Sequence, residues 1–138
     1  MTTLFDTGPL VAVANADDRH HARCVALVAS LAGPLLVPPT VLVEACWILN
    51  DRAGPAAQAA LLDSVAAGEL ELTDLLPADV ARMAQLVRTY HDLRLDPADA
   101  SVIAVAERLG ITQIATLDRR DFTVVRPAHV TAFTLLPG

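Results

Sequence analysis

The chain has 138 residues, 54% of them apolar, with a formal charge of −6. That suits one domain with a sizeable core and excludes a nucleic-acid coat protein, whose footprint is basic. All ten basic residues are arginine, which excludes chemistries built on a lysine, such as the P-loop and Schiff-base mechanisms.

The start, M-T-T-L-F-D, has no basic segment leading into an apolar core, so no signal peptide is expected and the protein is expected in the cytoplasm. The greasiest region, Cys24 to Leu49, is cut by Gly33-Pro34, Pro38-Pro39-Thr40 and Glu44, which argues against a membrane span. Cys24 and Cys46 sit in apolar helical contexts without metal-type spacing and read as buried thiols rather than a disulfide.

Thr2 to Phe5 reads as a first strand, and Asp6-Thr7-Gly8-Pro9 as a sharp turn in which Thr7 can cap and Pro9 opens a helix over Leu10 to Asn15. Asp6 thus lies at a strand's carboxyl end, although a turn aspartate is also commonplace. Asp17-Asp18 precede a second helix running to about Leu31, with Cys24, Ala26, Leu27, Val28 and Leu31 inward. His20 and His21, as neighbours on a helix, point about 100° apart and do not suit one metal.

Leu35 to Val37 predicts a second strand, and Thr40 a cap for a helix reaching about Asn50. Between Val41 and Leu49 the only polar residue is Glu44, one place beyond where a capping acid would fall. A carboxylate in so apolar a helix is costly unless paired, protonated or bound to a metal. Gly54-Pro55 breaks the chain before a helix over Ala56 to Ala67, with Ala60, Leu61 and Val65 inward. A brief strand over Glu69 to Thr73, a helix from about Ala78 to Tyr90 and a loop from His91 to Leu95 follow. The acids Asp63, Glu69, Glu71, Asp74, Asp79 and Asp92 fall where surface faces or caps are expected.

From Asp99 the apolar residues Val102, Ile103, Val105, Ala106 and Leu109 recur at helical spacing, with Asp96 as cap, Pro97 in first position and Gly110 as stop. Asp99 lies in the first turn, where the helix dipole also favours an acid. Ile111 to Leu117 reads as a buried strand with Asp118 one residue past its end, and Thr131 to Leu135 as a closing strand. Alternating strands and helices, without repeats or linkers, call for a parallel sheet covered on both faces.

Asp6, Glu44, Asp99 and Asp118 therefore occupy strand ends and helix starts, which can converge on one edge of such a sheet. Four carboxylates in one place repel and raise one another's pKa unless a cation is present. A set of oxygen ligands without Cys or His suits Mg²⁺ or Mn²⁺, ions that activate water and stabilise charge on phosphate oxygens.

D-T-G-P-L-V-A at Asp6, T-V-L-V-E-A at Glu44, D-A-S-V-I-A-V-A-E-R-L-G from Asp99 and A-T-L-D-R-R-D-F around Asp118 together resemble the PIN-domain ribonucleases of the VapC toxin type, over essentially the whole chain. The resemblance implies one α/β domain over residues 1–138, a three-layer α/β/α fold with a mainly parallel sheet of four to five strands. It also implies an acidic pocket for one or two Mg²⁺ or Mn²⁺ ions, cleavage of RNA, a homodimer and a small antitoxin partner. Asp6, Glu44, Asp99 and Asp118 match the family's acidic quartet; Thr7 and Thr116 match its flanking hydroxyls. Asp121 is an accessory acid or a cap of the next turn, and Arg119, Arg120 and Arg126 are candidates for holding RNA phosphates, with a solvated surface role the alternative.

Two other readings compete. An aspartyl phosphatase would need a second acid where Gly8 stands, and a lysine. A non-catalytic PIN-like module binding RNA or protein would not need the complete quartet.

Overall fold

A computed structural model describes residues 1–138. Its strands are β1 (Thr3–Phe5), β2 (Leu35–Val37), β3 (Glu71–Leu72), β4 (Gln113–Ala115) and β5 (Thr134–Leu136). They form one sheet in the order β3-β2-β1-β4-β5, with every pairing parallel. Seven helices cover it: α1 (Thr7–Ala14), α2 (His21–Ser30), α3 (Pro39–Ala53), α4 (Pro55–Ala66), α5 (Pro77–Thr89), α6 (Pro97–Leu109) and α7 (Arg119–Val124). A single 3-10 turn, His91–Leu93, links α5 to α6.

Strand order dictates the layering. The chain steps outward from β1 through β2 to β3, then returns through α5 and α6 to lay β4 against the other side of β1. Right-handed crossovers place helices of the two directions on opposite faces: α1 contacts α2, α3 and α4, and α5 contacts α6, with α3 also meeting α6. The result is the expected three-layer α/β/α arrangement. Between β1 and β4 the order reverses, and such a switch point opens a crevice at the strands' carboxyl ends.

The core runs through both layers. Leu4, Phe5 and Ile114 on the sheet pack with Val41, Ala45 and Leu49 of α3 and with Val102, Ile103 and Val105 of α6. Every residue of α6 from Ala98 to Ala106 is buried, because this helix is covered by the sheet, α5 and α3 at once. Leu109, expected inward, is 44% exposed, since the helix emerges from the core in its last turn.

Several local expectations are corrected. The first helix begins at Thr7, with Asp6 at its N-cap position, so Thr7 does not cap. Thr40 does not cap α3 either: Pro38 is the N-cap and Pro39 starts the helix. The Thr40 hydroxyl instead hydrogen-bonds Ser101 Oγ, tying α3 to α6. The fourth strand ends at Ala115, so Asp118 lies three residues beyond it, at the N-cap position of α7. Helix α7 itself is not legible in the sequence, being six residues long and too short to display a period.

Candidate functional site: an acidic pocket at the switch point

Asp6 leaves β1 and Asp118 follows β4, the two strands that flank the switch point. Between them Thr116 acts as a tie. Its buried hydroxyl donates to Asp6 Oδ2 at 2.8 Å and accepts the Asp118 amide at 3.0 Å. Gly8 lets the start of α1 lie against the following loop, since a Cβ there would meet Leu117 Cβ at 3.2 Å.

Two helix starts supply the remaining acids. With Pro39 as first residue of α3, Glu44 lies in its second turn, beyond the reach of capping. At α6 the Asp96 carboxylate accepts the Asp99 amide at 2.8 Å, a true N-cap. That bond holds both acids at the same end of the helix, so Asp96 faces the pocket along with Asp99. Asp6, Glu44, Asp96, Asp99 and Asp118 all line one pocket of about 310 Å³, with Thr7 and Asp18. Asp121, in the first turn of α7, completes a tight trio: Asp99, Asp118 and Asp121 each offer a carboxylate oxygen, all within 4.8 Å of one another.

No arginine or histidine forms an ion pair with any of these acids; the salt bridges join Arg82 to Glu107, Arg108 to Asp79 and His91 to Asp92. The electrostatic consequence is large. Burial, joined by the charges of Asp6, Asp96, Asp118 and Asp121, pushes Asp99 up to about 9. Burial also pushes Asp6 to about 6, with the Thr116 hydroxyl offsetting part of the rise and Asp96 and Glu44 adding to it. Glu44 is raised by burial and by Asp96, and Asp121 by burial and by Asp118.

The pocket fits a hard divalent cation. Its donors are carboxylate oxygens, the set that Mg²⁺ and Mn²⁺ prefer. The Thr7 hydroxyl is buried on the Glu44 side of the pocket, where it favours the Glu44 anion and meets no other polar partner.

A family model described as "PIN domain" matches residues 3–126. The chain belongs to the PIN domain family. It is 34% identical over 134 residues to "Ribonuclease VapC26" of Mycobacterium tuberculosis, covering 97% of this chain and 99% of that one. Among solved structures, it is similar to the Mycobacterium tuberculosis toxin VapC20, described as cleaving the sarcin-ricin loop, at TM-score 0.77 and 21% identity over 81% of this chain and 86% of the other. VapBC2 of Rickettsia felis, bound to a promoter DNA fragment, matches at TM-score 0.67 and 17% identity, covering 98% and 97% of the two chains. FitAcB of Neisseria gonorrhoeae matches at TM-score 0.59 and 19% identity, covering 96% and 95%.

In this PIN domain the three arginines singled out in the sequence stand outside the pocket lining. The Arg119 guanidinium donates to the carbonyls of Leu135 and Pro137 at the end of the chain, at 3.4 and 3.0 Å. The Arg126 backbone amide donates to the Tyr90 hydroxyl, which braces that segment against α5. The arginine that does line the pocket is Arg52, two turns along α3 from Glu44. Glu44, Ile48 and Arg52 recur at helical spacing, a signal that was present in the sequence. His20 also lies on the rim, where its Nε2 accepts from Arg19 Nε at 3.1 Å.

Proposed function

We propose that the protein is a divalent-metal-dependent endoribonuclease, the toxin of a toxin-antitoxin pair, with Asp6, Glu44, Asp99 and Asp118 as its catalytic and metal-holding carboxylates. The observation that carries the reading is the gathering of Asp6, Glu44, Asp96, Asp99, Asp118 and Asp121 at one place with none of them ion-paired. Such repulsion is relieved either by protonation or by a bound cation, and an all-carboxylate donor set suits the cation. The ribonuclease relative adds the substrate class, and the VapBC2 complex adds the idea of a small protein partner.

In this scheme Asp6, Glu44, Asp99 and Asp118 hold Mg²⁺ or Mn²⁺, with Asp96 and Asp121 as neighbouring acids. The chemistry such an ion supplies is a lowered water pKa and neutralisation of the charge that builds on phosphate oxygens. Thr116 keeps Asp6 oriented and couples it to the Asp118 loop. Asp99, raised most, holds a proton on its carboxyl until a cation displaces it. Thr7 orients the Glu44 carboxylate and presents its hydroxyl oxygen to a water or phosphate. Arg52 steadies the phosphate on the far side of Glu44, and Arg120 and Arg126 draw RNA toward that edge from outside. A homodimer, a cytoplasmic location and a co-produced antitoxin belong to the same proposal.

The test is cleavage of RNA by purified protein with Mn²⁺, compared with Asp6→Asn and Asp99→Asn. Each variant should lose activity by at least roughly a thousandfold while keeping a native melting transition. Undiminished cleavage in both would remove these acids from the reaction.

A further inference from the structure

Thr40 stands in the first turn of α3, a place where a hydroxyl ordinarily bonds within its own helix. Here Pro38 takes the N-cap position, and the Thr40 side chain reaches 61 residues along the chain to Ser101 of α6, Oγ1 to Oγ at 2.5 Å. Ser101 is wholly buried, and its hydroxyl donates to the Ala98 carbonyl at 2.7 Å. A hydroxyl carries one hydrogen, so Ser101 gives its own to Ala98 and accepts that of Thr40.

This is the only side-chain hydrogen bond between α3 and α6, and no ion pair joins them. Both helices otherwise present apolar side chains to the core, Val41, Ala45 and Leu49 from α3 and Val102, Ile103 and Val105 from α6. Apolar burial holds helices together without direction, whereas a hydrogen bond is confined in length and angle. The Thr40–Ser101 contact therefore adds a fixed register to packing that has little direction of its own.

The acids lie beside it. Thr40 is one turn before Glu44 on the same face of α3. Ser101 follows Asp99 by two residues, so their side chains leave α6 about 200° apart. Pinning α6 through Ser101 thus fixes the rotation that turns Asp99 into the pocket, which Glu44 also lines. Functional groups must be held to within roughly 0.5 Å, and Asp96 repels both Glu44 and Asp99, so these carboxylates cannot supply that order themselves.

We infer that the Thr40–Ser101 hydrogen bond is a positioning contact, which sets the span between Glu44 on α3 and Asp99 on α6 and with it the affinity of the acidic pocket for a divalent cation. The inference rests on the metal-dependent reading of the pocket and deepens it. Neither hydroxyl is itself a ligand: Ser101 is enclosed in the core, and Thr40 does not line the acidic pocket.

Thr40→Val removes the tie alone, since the side chain keeps its shape and Ser101 keeps its bond to Ala98. Mn²⁺ binding to wild type, Thr40→Val, Ser101→Ala and the double variant would be measured by isothermal titration calorimetry, with melting temperatures taken in chelator. Thr40→Val should weaken Mn²⁺ binding about tenfold, and Thr40→Ser should restore it. The double variant should lose no more than the worse of the two single ones, because the hydroxyls act as one contact. Melting temperatures should stay within about 5 °C of the wild type. Should Ser101→Ala not fold, Thr40→Val against Thr40→Ser carries the comparison alone.

Unchanged Mn²⁺ affinity in Thr40→Val, whatever its melting temperature, would reduce the pair to a strut of the fold and overturn the inference, as would additive losses in the double variant. The ribonuclease reading would survive either result, since Asp6→Asn and Asp99→Asn test it separately. Mn²⁺ binding with the expected coupling but no cleavage of RNA would keep the positioning contact and sink the ribonuclease reading. Wild-type protein that binds no Mn²⁺ would end both.

Discussion

Asp99 and Thr7 illustrate how single residues carry opposite debts in this pocket. Replacing Asp99 with Asn removes a carboxyl that burial and four neighbouring acids disfavour as an anion. In chelator the variant should therefore melt above the wild type, and Mn²⁺ should then raise the wild type more than the variant. The opposite order in a thermal scan would mean that cations of the protein already neutralise the acid. Thr7 is the gentler case. Its buried hydroxyl meets only Glu44, so Thr7→Val should change stability by no more than about 1 kcal/mol in either direction. If the hydroxyl serves water or phosphate, cleavage should nonetheless fall about tenfold to a hundredfold; full activity would reduce Thr7 to a packing residue. Asp96 teaches a further lesson at this scale. As a helix cap it was fully explained, yet capping Asp99's amide is also what aims it at the pocket.

Among the elements, α3 and α6 decide the site, and α5 holds α6 in place. The Arg108 guanidinium on α6 binds both oxygens of buried Asp79 on α5, through Nε at 2.9 and 3.0 Å. Asp79 also accepts the Leu76 amide, so its carboxylate joins the start of α5 to the end of α6. Arg108→Ala would leave that carboxylate buried and unpaired, at about 2–3 kcal/mol after allowing for the arginine's partial exposure. Replacing both partners with apolar residues should cost less than the single change, which a double-mutant cycle in urea would measure. Asp79 was expected as a cap or surface acid; it does meet the Leu76 amide as a cap would, but only the tertiary structure supplies Arg108, 29 residues away. Most helices and the strand Leu35 to Val37 were legible because their periods and their Gly and Pro boundaries are local. Short α7 and the true starts of α1 and α3 were not, because one residue's shift of a cap costs little locally and is settled by what the side chain meets across the fold.

For the molecule as a whole, the acids make stability depend on pH. Both Asp6 and Asp99 have folded pKa values above the ordinary 3.8, at about 6 and about 9. Above about pH 4 the unfolded chain releases protons that the folded chain retains, so rising pH favours unfolding. The loss from Asp6 should be complete slightly above pH 6 and that from Asp99 should continue through about pH 9. Melting temperature in chelator should accordingly fall between about pH 5 and pH 9, and Mn²⁺ should flatten the decline. A flat profile in chelator would contradict the burial and the mutual repulsion that raise Asp6 and Asp99 and on which the metal proposal stands.

Local pattern by itself determined the alternation of strands and helices, the parallel α/β class and the oddity of Glu44, because periodicity and caps are written within a dozen residues. The strand order, and with it the meeting of Asp6 with Asp118 at the switch point, was decided only when β4 crossed back to pair with β1. The same crossing buried α6 from Ala98 to Ala106 and made Asp96, still a cap, part of the pocket. Proximity between residues far apart in the chain is set by packing over the whole core, and no local propensity carries that information.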